Sequence, residues 1–71
     1  MEIAKHLSTF IIHERQDSYH LIPTDLKSTM FILQFLYQNH YSYRIGIKDE
    51  QEFFKINKLT YNFLVKQSKI K

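Results

Sequence analysis

The chain has 71 residues, of which 44% are hydrophobic, 24% charged and 15% aromatic, which is enough apolar material for one small core. We therefore expect a single domain over residues 1–71. The absence of cysteine excludes disulfides and thiolate zinc sites, and a single glycine excludes a Gly-rich phosphate loop. A domain of this size buries only about 60% of its unfolded surface, so self-association would help to stabilise it.

Charge and hydropathy define the expected environment. The net charge of +3 is a mild basic excess, which permits a nucleic-acid partner without requiring one. The N-terminal residues lack the apolar core of a secretory signal, and the longest apolar stretch, 30–37, is much shorter than the roughly 20 residues of a membrane span. We expect a cytoplasmic protein that does not contact a membrane.

Residues 2–15 fit two structures. Ile3, Leu7, Phe10 and Ile11 suit an amphipathic helix, whereas the run Phe-Ile-Ile-His at 10–13 is typical of a strand. An internal comparison favours the strand, because a shift of 33 positions aligns residues of similar type in the two halves. The aligned pairs are Phe10 with Tyr43, Ile12 with Ile45, Leu21 with Phe54, and Leu26 with Leu59. Each half then reads as a hairpin followed by a helix.

A helix is predicted over 24–39. Thr24 can cap its first turn, Asp25 favours the positive end of the helix dipole, and Pro23 marks the boundary. On a 3.6-residue wheel one side collects apolar residues that we expect to face the core. This predicted core side consists of Leu26, Thr29, Met30, Leu33, Leu36 and Tyr37.

The second half begins with alternating residues over 41–48, which predict a strand with one buried face. Asp49, Glu50 and Gln51 supply a reversal, and 52–57 resumes as a strand that pairs back. Asp49 with Glu52 could instead be a capping box that opens a helix over 50–69. A C-terminal helix is predicted from about Leu59 to Lys69, because Leu59, Phe63 and Ile70 share a stripe.

The predicted fold is a two-layer ββαββα domain of the α+β class, with a four-stranded antiparallel sheet and two helices on one face. The alternative has helical N-terminal and 50–69 segments. Alternation defines the two sheet faces. The core face is predicted to hold Phe10, Ile12, Leu21, Tyr43, Ile45, Ile47, Phe54 and Ile56, and the opposite face to hold Ile11, His13, His20, Ile22, Arg44, Lys48, Phe53 and Lys55.

Two binding hypotheses follow. The first is a regulatory or inhibitory module that binds a protein partner or forms a homodimer, because Phe31 and Phe35 lie opposite the predicted core side of the 24–39 helix. The predicted interface consists of these two residues and the adjacent Ile32. The alternative is single-stranded nucleic-acid binding on the mixed sheet face, where bases stack and cations meet phosphates. The residues assigned to that role are Arg44, Lys48, Phe53, Lys55 and Lys58. If the C-terminal helix extends back to residue 55, Lys55 and Lys58 also form a lysine stripe with Lys66 and Lys69.

Metal and catalytic chemistry are not expected. His6, His13 and His20 are spaced seven apart, and His13 can face His20 across a hairpin, but two imidazoles do not complete a zinc site. The sequence has no nucleophile with a matching base and no phosphate cradle. We therefore expect neither a cofactor nor a small-molecule substrate, and we do not expect an enzyme.

Overall fold

The structure is a computed structural model, and it describes residues 3–69. Within these residues seven elements follow one another. They are α1 (Ile3–Leu7), β1 (Ile11–Glu14), β2 (Ser18–Ile22), α2 (Leu26–Gln38), β3 (Arg44–Lys48), β4 (Gln51–Asn57) and α3 (Lys58–Ser68). The α+β class and the ββαββα order are confirmed, with one short helix added before β1.

The ambiguous segments resolve in different ways. The N-terminal segment contains both expected structures, since α1 is followed directly by β1, while its first residue, position 2, lies outside the described part of the chain. Residues 51–57 form a strand, so a helix over 50–69 is wrong. The C-terminal helix is confirmed, although Ile70 of its predicted stripe also lies outside the described residues.

The four strands form an antiparallel sheet in the order β1-β2-β4-β3. The two hairpins meet at the central β2–β4 pair, where Leu21 lies directly opposite Phe54. These two residues are also counterparts at the offset of 33 residues. The two hairpins are therefore related by an approximate two-fold axis through this pair. The helices do not follow it, since α3 contacts β2 and β4 whereas α2 lies against α1, and α1 has no counterpart among the described residues.

The turns and helix ends follow local chemistry. Asp25 rather than Thr24 is the N-cap of α2: its carboxylate accepts a 2.8 Å hydrogen bond from the Ser28 amide, which lowers the pKa of Asp25. The Thr24 hydroxyl instead donates to the Thr9 carbonyl. The two-residue turn between β3 and β4 places Asp49 and Glu50 at φ of 53° and 67°, the left-handed conformation that a type I′ hairpin turn requires.

The core lies between the sheet and the helices, and α2 faces it with a side that the sequence did not predict. Its buried residues are Ser28, Thr29, Ile32, Phe35 and Leu36. Leu26, Met30 and Tyr37 are 76%, 62% and 78% exposed, so the predicted core side is wrong for these three. The cause is α1, whose buried Ile3 and Leu7 enter the core and which contacts both α2 and α3.

The predicted core face of the sheet is also only partly covered. Phe10, Leu21, Phe54 and Ile56 are buried, and Ile12 and Tyr43 pack against them. Ile45 and Ile47 are 61% and 74% exposed, which contradicts their assignment to the core. Both residues lie on β3, an edge strand, whereas α3 contacts β2 and β4.

Within residues 3–69 the structure has no helix that combines the length and the apolar character needed to cross a bilayer.

Candidate nucleic-acid interface

The sheet face that the helices leave uncovered is called the open face here. Register places side chains from all four strands on it. The paired Ser18 and Asn57 also have this register, but Ser18 is buried and Asn57 caps α3. The remaining set is Ile11, His13, His20, Ile22, Arg44, Gly46, Lys48, Gln51, Phe53 and Lys55. All eight residues that alternation assigned to this face are on it, since each is in register with another member.

A pair of stacked rings occupies the centre of the open face. The His20 imidazole and the Phe53 ring have centroids 4.4 Å apart and an interplanar angle of 19°. Phe53 also reaches across to Gly46 on β3, where an added Cβ would collide with the Phe53 ring. Gly46 therefore provides the space that lets the Phe53 ring lie over the neighbouring strand.

Cations surround these rings. Lys55 lies opposite His20 on one side and opposite Arg44 on the other, and Lys48 occupies the far end of β3. All three are exposed. The two carboxylates on the strands, Glu14 and Glu52, are in register with residues of the helix-covered side. The strand positions of the open face thus carry positive but no negative side chains.

The charge pattern is reflected in the titration of His20. Burial lowers the pKa of His20 below its ordinary value, and the positive charges of Arg15, Lys55, His13 and Lys48 lower it further. The lowered pKa favours the neutral form of the ring. A bound anion would offset this repulsion and favour protonation of the same ring.

Two depressions adjoin the open face, and one of them is lined by both central rings. One, of about 270 Å³, is lined by His13, His20, Ile22, Lys48, Asp49, Gln51 and Phe53. The other, of about 490 Å³, lies at the opposite end of the sheet and is lined mainly by polar residues. They are Asp17, Ser18, Ser42, Tyr43, Arg44, Lys55, Ile56 and Asn57. Each depression combines a cation of the open face with an aspartate from a turn, Asp49 beside Lys48 in the first and Asp17 beside Arg44 and Lys55 in the second.

Lys58 is not part of this face. It is the first residue of α3, and its Nζ atom lies 3.6 Å from Glu14 Oε2 on the helix-covered side. The predicted lysine stripe is also wrong, because α3 begins at Lys58. Lys55 is therefore on a strand, whereas Lys66 is on the helix. The structure brings together Arg44, Lys48, Phe53 and Lys55.

The predicted protein interface on α2 is covered by the chain itself. Ile32 is fully buried and Phe35 is 9% exposed, with its ring stacked on Phe63 at a centroid distance of 5.6 Å. Phe31 is half-buried and stacks on His6 at 4.2 Å. The prediction that both phenylalanines point away from the core is wrong, because α1 and α3 cover them.

The histidines are divided between the two sides of the molecule. His13 lies opposite His20, as predicted. The Nδ1 atom of His6 makes a 2.8 Å hydrogen bond with the Ser28 hydroxyl on the helix-covered side. No group of three or more potential metal ligands occurs within the described residues.

Sequence reasoning missed Gly46 and Gln51 as members of the open face. The signal for Gly46 was present, because the only glycine of the chain stands in the middle of an alternating strand, where glycine often marks a close approach of another group. Gln51 was assigned to the reversal, and the two-residue turn places it in β4 instead.

No protein-family model matches the chain, and neither a curated protein nor a solved structure matches it significantly.

Proposed function

We propose that the protein is a non-enzymatic module that binds single-stranded nucleic acid on its open face. The observation that carries the proposal is the stacked His20–Phe53 pair beside three exposed cations on strand positions without a carboxylate. Single-strand binders combine aromatic surfaces, on which unpaired bases stack, with cations that contact the phosphates. The open face offers both.

The chemistry favours weak sequence discrimination. Lysine contacts a phosphate as a point charge, and two of the three cations are lysines, so the bidentate recognition of a base edge is restricted to Arg44. Stacking on a ring tolerates any base. A base-paired duplex hides the faces of its bases, so the aromatic pair supports single strands over duplexes.

The size and charge of the open face set the expected length of the binding site and the salt dependence of binding. Arg44 and Lys48 are four residues apart on one strand, about 13 Å, which suits a short site on the order of four nucleotides. With three phosphate contacts, the logarithm of the binding constant should fall with a slope of about −2 against the logarithm of salt concentration. Affinity should then decrease by roughly 20-fold between 50 and 200 mM salt.

The test of the stacking element is a matched pair of variants in a fluorescence anisotropy titration with a labelled single-stranded oligothymidylate. Phe53→Leu should weaken binding by about tenfold, since a stacked base contributes about 1–3 kcal/mol. Phe31→Leu is the control, because Phe31 is also half-buried and stacked on a histidine, but on the helix-covered side. Equal effects of the two substitutions would contradict the proposal.

The charge element is tested by Lys55→Gln, with Lys66→Gln on α3 as the control of equal charge change. We expect the magnitude of the salt slope to fall by about 0.7 for Lys55→Gln and to stay unchanged for Lys66→Gln. Failure of the parent to bind the oligonucleotide at 20 mM salt, or equally tight binding to a duplex of the same length, would refute the proposed function.

A further inference from the structure

One side of α2 is mostly exposed and lies outside the open face. Leu26, Met30 and Tyr37 are mostly exposed, and the partly buried Leu33 lies between them in the sequence. Their spacing of four, three and four residues places all four on one line along the helix, about 130° from the centre of its buried face. This set of four residues is called the α2 stripe.

From the α2 stripe we infer that the protein forms a homodimer through this helix, with two copies of α2 packed antiparallel across a two-fold axis. The inference is independent of the proposed function, because the stripe shares no residue with the open face. It also differs from the predicted interface at Phe31, Phe35 and Ile32, which the structure buries.

The scarcity of charge on α2 makes this helix the place where a second copy meets the least repulsion. The chain carries a net charge of +3, so two copies repel each other over most of their surfaces. Residues 26–38 contain one charged side chain, Lys27, which lies about 100° around the helix from Leu26. The stripe is therefore a surface on which two copies meet with little repulsion, and it offers nothing to a strongly charged partner.

The spacing of the stripe is compatible with two-fold symmetry. It reads the same from both ends, so an antiparallel pair places Leu26 against Tyr37 and Met30 against Leu33 of the other copy. The two Lys27 residues are then separated by about 13 Å along the helix axis, which exceeds the Debye length at physiological salt.

The area of the stripe is sufficient for a weak dimer. Its three exposed members present on the order of 150 Å² each, so a two-copy contact that includes Leu33 would remove roughly 1,000 Å² from water. This value is at the lower limit for a specific interface. We therefore expect a dissociation constant on the order of 10–100 µM.

The experiment is sedimentation equilibrium of the full chain over a concentration range from 5 to about 500 µM, chosen to bracket that dissociation constant. Leu26→Glu should weaken the dimer at least tenfold. Leu59→Glu is the control, because Leu59 is 71% exposed, lies in the first turn of α3 and is the counterpart of Leu26 at the 33-residue offset. Circular dichroism verifies that both variants fold.

Orientation is tested with cysteines, which the parent chain lacks. A mixture of the Leu26→Cys and Tyr37→Cys chains should form a mixed disulfide under mild oxidation, and Leu26→Cys alone should not cross-link efficiently. A parent chain that stays monomeric at the highest concentration, or equal weakening by Leu26→Glu and Leu59→Glu, would overturn the inference. Efficient cross-linking of Leu26→Cys to itself would overturn the antiparallel arrangement.

Discussion

Truncation of Phe35 tests the orientation of α2, on which the covered and uncovered surfaces of the molecule depend. Phe35 is 9% exposed and stacks on Phe63, so Phe35→Ala removes a ring from the core. Such substitutions cost about 3–5 kcal/mol because they combine lost burial with a cavity. A chain of 71 residues has a total stability on the order of 4–10 kcal/mol. The variant should therefore lose a large share of its stability.

Tyr37→Ala is the matched comparison, since Tyr37 lies two residues further along the same helix and is 78% exposed. An exposed substitution of this kind is expected to change stability by no more than about 0.5 kcal/mol. The measurement is urea unfolding followed by circular dichroism, at a few micromolar protein so that the dimer does not contribute.

With a urea dependence of about 1 kcal/mol per molar, the midpoint should fall by roughly 3 M for Phe35→Ala and by about 0.5 M or less for Tyr37→Ala. The sequence-based assignment of the core side gives the reverse order, because it placed Tyr37 inside and Phe35 outside. A larger loss for Tyr37→Ala than for Phe35→Ala would show that α2 is rotated relative to the structure described here.

Three further predictions concern the hairpins and the open face. Replacing Asp49 and Glu50 by Asn-Gly should raise the free energy of unfolding by about 1 kcal/mol, because both residues have left-handed backbones; an unchanged urea midpoint would contradict this. Gly46→Ala should lower the free energy of unfolding by about 1–2 kcal/mol, because the added methyl group collides with Phe53. This loss should be smaller in a Phe53→Leu background, which a double-mutant cycle measures. The pKa of His20 is lowered on folding, so the unfolded chain binds more protons than the folded chain below about pH 6.5. The free energy of unfolding of the parent should therefore decrease relative to that of His20→Gln as the pH falls from about 7.5 to about 5.5. A difference that is constant with pH would refute the lowered pKa.

The fold class was predictable because its signals are local. Alternation over 41–48, the reversal at Asp49 and Glu50 and the helical run after Pro23 each depend on near neighbours in the sequence. The comparison of the two halves then supported strands over helices in the ambiguous regions. Alternation also fixes which strand residues share a face, so Phe53 and Lys55 were assigned to the same side without knowledge of the helices.

Part of the candidate site was beyond such reasoning. Lys58 was grouped with Lys55 on the assumption that one helix contains both, and the boundary between β4 and α3 at Asn57 separates them. The contact of Phe53 with Gly46 depends on the pairing of β3 with β4, and the stacking of His20 on Phe53 depends on the pairing of the two hairpins. Each is a relation between strands.

The amino-acid sequence by itself indicated the ββαββα order and the alternation that separates the two sheet faces, but not the short helix α1. The tertiary structure decided which surfaces are covered. Helix α2 has apolar residues around much of its circumference, so its periodicity is satisfied equally well by burying Leu26 and Met30 or by burying Ile32 and Phe35. The short helix α1 settles the choice, because its Ile3 enters the core and its packing against α2 fixes the rotation of that helix.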